Sequence, residues 1–114
     1  MADIIQHIEH EIALVAVREG AVVGCARAVR GADAFVIRGL LVDPAWQGQG
    51  VGSALLKALE AAISAPARID LTTNTVMEGN VPFYERHGYR LMATTAPIPG
   101  ITLAHLSKSV AGAG

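Results

Sequence analysis

Charge is scarce in this chain of 114 residues: Asp, Glu, Lys and Arg make up 17% and leave a net charge of −1. So small a balance gives no general attraction for nucleic acid or acidic membranes, and neither is expected as a partner. The single cysteine, Cys25, has no internal partner for a disulfide and reads as a small buried strand residue. No apolar run approaches the ~20 residues of a membrane span. No basic residue precedes Arg18, so the start is not read as a secretory signal, and the cytoplasm is the default location. Metal-binding patterns are missing too. His7 and His10 lie one helical turn apart, but no HExxH pattern or cysteine cluster joins them, and no metal is expected.

What the chain has is apolar content, 52% of its residues, enough for a core in one domain spanning 1–114. Residues 12–17 and 21–29 are β-prone runs joined at Arg18-Glu19-Gly20, a hairpin signal. The turn at 31–33 leads to a third strand over 34–42. Pro44 cannot donate to a sheet ladder and ends it. Val51, Leu55, Leu59 and Ile63 then recur at helical spacing, with Lys57 and Glu60 on the outer side and an end near Ala65, before Pro66. A strand over 68–73 follows. Reaching it through a helix implies a parallel βαβ crossover. A short helix capped by Asn80 and stopped at Gly88 comes next, then strands over 89–94 and 101–106 around a Pro97–Gly100 loop. Residues 1–11 fit a helical face or an extension of the next strand, and residues 109–114 are expected to form a disordered tail.

Between the third strand and the long helix stand Gln47, Gly48, Gln49, Gly50, Val51, Gly52 and Ser53. Glycines at alternate positions let backbone approach a bulky anion, and a helix start presents unpaired N–H groups to it. This is an anion cradle, suited to phosphate. A P-loop would need Gly-Lys-Ser/Thr there, and no lysine precedes Lys57. A dinucleotide fingerprint would place Ser53 at its third glycine, after three β-runs that do not make a Rossmann half. A purely structural turn is the remaining alternative.

Val42-Asp43-Pro44 followed by Gln47-x-x-Gly50-x-Gly52 resembles the acyl-CoA pyrophosphate signature of the GNAT superfamily of N-acetyltransferases. Asn80-Val81-Pro82-Phe83-Tyr84-Glu85-Arg86-His87-Gly88-Tyr89 resembles that family's later Phe-Tyr-Glu-x-x-Gly-Phe/Tyr motif, and the resemblance covers roughly 12–107. It implies an α+β fold with a mixed, mostly antiparallel sheet and a central βαβ crossover. The family fold opens with a further strand and two helices, most of which the eleven residues before Ile12 cannot hold. Those helices help wall the acceptor pocket, so the acceptor side is expected to be open or completed by a second subunit in a homodimer.

The resemblance further implies acetyl-CoA as acyl donor and an amine as acceptor. Backbone N–H groups from Gly48 to Ser53 would bind the pyrophosphate, with Gln47 opening the motif. The strand end at Leu40, Leu41 and Val42 would pair with the pantetheine arm, and a strand-end N–H near Leu41 would hold the oxyanion. Glutamines stand at 47 and 49 where relatives often carry Arg or Lys; Lys57, Arg86 and Arg90 are unassigned candidates for the remaining phosphate. Tyr84 matches the usual general acid: a phenol of pKa ~10 stays protonated at neutral pH and can donate to the leaving thiolate. Its alternative is packing beside Phe83. The family's Asn seven residues before that Tyr is Met77 here; Asn80 replaces it or only caps the helix. Residues 34–42 contain no carboxylate to serve as base, and Asp33, Asp70, Glu78, His87 and His105 are scattered, so the base is unassigned. A non-catalytic acyl-CoA-binding or assembly module on the same fold is the second functional reading.

Overall fold

Ile12, Leu14 and Ala16 are buried in alternation with half-exposed neighbours along β2 (Glu11–Arg18), as in a strand with one face on a core. The computed structural model describes residues 3–8, 11–63, 67–75 and 79–110, with 3–8 and 67 as backbone alone. Around β2 the chain runs β1 (Asp3–Ile8), β3 (Ala21–Arg30), β4 (Phe35–Val42), a 3₁₀ turn (Pro44–Trp46), α1 (Val51–Ala61), β5 (Ala67–Asn74), α2 (Asn80–Arg86), β6 (Arg90–Ile98) and β7 (Ile101–Val110). The strands form one sheet in the order β1-β2-β3-β4-β5-β7-β6. Every neighbouring pair is antiparallel except β4–β5, which is parallel and joined through α1 as the expected crossover.

That one parallel pairing is short. It joins Phe35, Val36 and Ile37 to Ile69, Asp70 and Leu71 and then stops, although β4 runs on to Val42 and β5 to Asn74. Their outer edges stay paired: Val42 opposes Gly24 on β3, and Asn74 opposes Leu103 on β7. The sheet therefore opens as a wedge between the carboxyl ends of two neighbouring strands.

Both helices lie on the same face. α1 sinks Val51, Leu55, Leu56 and Leu59 against β2, β3 and β4, where Gly24, Ala26 and Ala28 keep β3 low enough for close approach. On the other face of the sheet no helix packs among the described residues. No helix among them is long and apolar enough to cross a membrane.

Several local expectations change. The chain over 3–8 is strand, paired along its whole length with β2, and only two residues separate the strands. The N-terminal strand is thus present, and it is the two helices that have no room. α1 ends at Ala61, short of Ala65. Glu60 turns inward: Tyr89 Oη donates to its Oε2 (2.9 Å), and Lys108 Nζ donates to its Oε1 (2.9 Å) and to the carbonyl of His87 (2.7 Å). Ser109 and Val110 are not tail but the end of β7, opposite Arg68 and Ala67. Cys25 is half-buried on the helix-free face rather than in the core. His10, Met77 and Glu78 lie outside the described residues, as do 111–114 and the side chain of His7.

Candidate active site

The turn after β4 is held by its own side chains. Asp43 Oδ1 accepts from the backbone N–H of Ala45 (2.9 Å), with Pro44 opening the 3₁₀ turn. Gln47 Nε2 donates to the carbonyl of Val42 (3.2 Å) and Gln49 Nε2 to that of Ala45 (3.4 Å). Both glutamines are thus engaged with the loop itself. Gly48 and Gly50 have φ of +77° and +84°, left-handed conformations that cost other residues roughly 1–2 kcal/mol. A Cβ at either would meet nothing within 4 Å, so conformation rather than crowding calls for glycine there.

α1 starts on this turn. Its first internal bond runs from Ala54 N to Gly50 O (3.0 Å), leaving the N–H groups of Val51, Gly52 and Ser53 without a backbone acceptor among the described residues. These donors and the positive end of the helix dipole converge on one place. Ser53 Oγ and His87 Nε2 lie 3.0 Å apart and tie this helix start to the end of α2. Burial pulls the His87 imidazole below its ordinary range; the Glu60 carboxylate offsets part of this, while Lys57, Lys108 and Arg86 reinforce it.

The wedge between β4 and β5, closed on one side by this turn and by α2, is a cleft of about 760 Å³. Of the residues expected at the site, Leu40, Leu41, Val42, Gln47, Gly48, Gly50, Gly52, Ser53, Asn80 and Tyr84 all line it. Gln49 does not, its amide being bonded to Ala45. Nor does the side chain of Val51, which is buried in the core. The cleft also takes in Arg38, Thr72, Thr73, Phe83 and Arg86. Arg86 was named among the phosphate candidates; Lys57 and Arg90 are exposed elsewhere. The two threonines were missed because a residue's distance from this turn depends on strand pairing, which no local pattern carries.

Tyr84 stands on α2 with its ring buried, edge-on to Phe83 (5.2 Å between centroids) and Tyr89 (5.7 Å). Its hydroxyl has no hydrogen-bond partner among the described residues, yet none of their fully buried polar side-chain atoms is unpaired. The hydroxyl is therefore not sealed in the core, and Tyr84 lines the cleft. Burial pushes this phenol above its ordinary value near 10. Asn80 is not the cap of α2, a place held by Gly79 at φ +91°. Instead its Nδ2 donates to Thr73 Oγ1 (2.9 Å), bracing α2 on β5 across the cleft.

No carboxylate lines the cleft among the described residues; its two charged groups are Arg38 and Arg86. Asp33 is exposed beyond the far end of β4. Asp70 and His105 lie on the helix-free face, where Asp70 is bonded to Arg68 and Ser107 and His105 to Thr72 and Thr95. The described residues include no group of His, Cys, Asp and Glu able to hold a metal ion.

Comparison with known proteins bears on this geometry. No curated protein matches the chain. An acyl-CoA N-acyltransferase assignment attaches to a Klebsiella pneumoniae structure that is 27% identical, with a TM-score of 0.74 over 88% of this chain and 72% of that one. The ribosomal-protein-S18-alanine N-acetyltransferase of Escherichia coli is 20% identical, with a TM-score of 0.76 over 95% and 74% of the two chains. A GNAT acetyltransferase of Elizabethkingia anophelis with acetyl-CoA bound is 17% identical, with a TM-score of 0.73 over 89% and 77%. These last two speak for the fold. The family model described as "Acetyltransferase (GNAT) domain" matches residues 9–91, well over half of the sequence. The chain belongs to the GNAT acetyltransferase family.

Proposed function

We propose that the protein moves the acetyl group of acetyl-CoA directly onto an amine, in the cleft between β4 and β5. One observation carries the reading: a single cavity joins the glycine turn, the unpaired end of β4 and Tyr84. The N–H groups at the start of α1 suit a pyrophosphate. Beyond Ile37 the edge of β4 that faces β5 has no strand partner; Leu41 is bonded to Cys25 on β3, and its neighbours Leu40 and Val42 turn their backbone groups to this edge, where they can meet the amide-bearing pantetheine arm. The wedge leaves room for that arm.

In this reading the amine nitrogen attacks the thioester carbonyl, and an N–H near Leu41 stabilises the oxyanion. Collapse of the tetrahedral intermediate breaks the C–S bond. Tyr84 Oη, kept protonated by its burial, donates to the departing sulfur. Direct attack requires no covalent enzyme intermediate. Arg86, next to the His87 that meets Ser53, adds charge to a phosphate site otherwise built from backbone, so acetyl-CoA affinity should fall modestly with salt.

That no carboxylate lines the cleft among the described residues favours a second reading, an acyl-CoA-binding module without catalysis. A homodimer suits β6, an edge strand exposed along its whole length and carrying Leu91, Met92 and Ile98.

Thermal unfolding with acetyl-CoA, and with NAD and ATP as controls, tests the ligand. At ~100 times its dissociation constant a specific ligand adds about 2.7 kcal/mol, a rise of roughly 10 °C for a chain of this length. Coupled release of free thiol with a panel of amines then tests transfer. Tyr84→Phe should keep the thermal shift and lose roughly 10²-fold in kcat. An unchanged kcat at saturating substrates removes Tyr84 from the mechanism, and tight acetyl-CoA binding with no turnover on any amine leaves the binding module.

A further inference from the structure

The helix-free face of the sheet carries a polar constellation directly behind the cleft. On β5 and β7, Thr72 and His105 are opposite one another, with Thr72 Oγ1 3.0 Å from His105 Nδ1. On the other side of the ring, His105 Nε2 lies 2.8 Å from Thr95 Oγ1 of β6. The imidazole is thus gripped at both nitrogens by threonine hydroxyls from two different strands. A second cavity, of about 410 Å³, lies over this face and is lined by Asp70, Thr72, Met92, His105 and Ser107 among others. Thr72 and Leu71 line both cavities, so Thr72 stands where the cleft and the helix-free face come nearest.

We infer that Thr72, backed by His105, takes the proton of the acceptor amine. The inference rests on the amine-acetylation reading. With the donor lying along β4 and the glycine turn, the space left beside the thioester is the side that Thr72 shares with the second cavity. A primary amine of pKa ~10.4 arrives mostly protonated, and no carboxylate lines the cleft among the described residues. Thr72 can relay a proton. With the ring hydrogen on Nε2, donated to Thr95 Oγ1, the lone pair on Nδ1 accepts from the Thr72 hydroxyl. Thr72 Oγ1 then has lone pairs free for an N–H of the amine. The attacking species is the neutral amine, which has given its first proton to solvent; as its nitrogen bonds to the carbonyl carbon, a second proton passes to Thr72 Oγ1 while the Thr72 hydroxyl proton passes to His105 Nδ1. The C–S bond breaks, and the sulfur takes the proton of Tyr84 Oη. Solvent restores both groups, since His105 is only half-buried.

Asp70 is no rival for this role. Its Oδ1 accepts from Arg68 Nε (3.0 Å) and Ser107 Oγ (2.8 Å), and its Oδ2 from Arg68 Nη2 (3.1 Å). Arg68 also neutralises its charge, so this face does not select a polycation. The charged groups facing His105 from its flanking strands are Arg68 and Asp70 on β5 and Arg90 on β6, which opposes Ser107.

The test uses the full chain, acetyl-CoA and three probe amines: benzylamine, spermidine and a tetrapeptide with a free N-terminus. The variants are His105→Gln, His105→Ala, Thr72→Val and Thr72→Ser. We expect His105→Gln and Thr72→Val to lose roughly 10²-fold in kcat with KM for acetyl-CoA unchanged. Thr72→Ser should stay within a few-fold of the parent, and added imidazole should restore much of the His105→Ala activity. A His105→Gln kcat within twofold of the parent overturns the relay and leaves acetyl transfer standing. Loss in His105→Ala that imidazole does not restore, with Thr72→Val still active, reduces His105 to a structural role and overturns it equally. A parent protein that binds acetyl-CoA but acetylates none of the probes counts instead against the amine-acetylation reading, and the relay falls with it.

Discussion

Gly24 sits on β3 beneath the first turns of α1, and replacing it with alanine tests how the cleft is built. A Cβ there would stand 2.9 Å from the carbonyl oxygen of Leu41, 3.0 Å from Leu55 Cδ1 and 3.1 Å from Val51 Cγ1. The leucine tip can swing aside. The Leu41 carbonyl cannot, because it belongs to β4, which is bonded to β3 on both sides of the contact. Overpacking of this kind costs about 1–3 kcal/mol, and the entropy that alanine removes from the unfolded chain returns about 0.4–1 kcal/mol. The net loss is about 1–2 kcal/mol. For 114 residues the unfolding entropy is about 0.24 kcal/mol per degree, so Gly24→Ala should lower the unfolding midpoint by roughly 4–8 °C. Since the atom pushed is on the strand end proposed to hold the pantetheine arm, acetyl-CoA affinity should weaken more than stability alone explains. Gly52→Ala is the control: its Cβ would meet Phe83 and Val42 at an ordinary 3.6 Å, in a helix that prefers alanine. Calorimetry without ligand should find it neutral or up to ~1 kcal/mol more stable. A Gly24→Ala midpoint at or above the parent's would refute the packing argument.

Glu60→Ala should cost about 2–4 kcal/mol in urea unfolding, since it strands the Lys108 ammonium and the Tyr89 hydroxyl in a site where the ion pair is only 25% and 17% exposed. A loss under ~0.5 kcal/mol would mean that water takes over from the carboxylate. Stability should also fall on acidification through the contribution of His87. Its folded imidazole binds a proton less readily than the unfolded chain's, because burial strips water from the charged form. Below the ordinary ~6.5, and until the folded group also titrates, the unfolded state holds more protons and is favoured. Urea midpoints at pH 7.5 and 5.5 should therefore differ less in His87→Asn than in the parent; an equal or larger difference would contradict the assignment.

Local chemistry made much of this protein legible. The β-prone runs, the helical stripe from Val51 to Ile63, the glycine turn and the Phe83-Tyr84 motif each speak through neighbours a few residues away, and the strands, helices and cleft lining follow them closely. Reading failed where a residue's state depends on distant chain. Glu60 looked solvated by helical periodicity, yet Tyr89 and Lys108, 29 and 48 residues further on, draw it inward. Ser109 and Val110 carry no strand signal of their own and are ordered by pairing with β5. Asn80 has a capping side chain, but Thr73 lies within its reach and takes the bond. The sequence alone determined most of the elements and the glycine turn before α1, because short-range sterics and period write those into adjacent residues. Only the tertiary structure decided that β4 and β5 part after Ile37, and that Thr72 and His105, 33 residues apart, meet at the opening. Strand register brings such residues together, and register is a property of the assembled sheet.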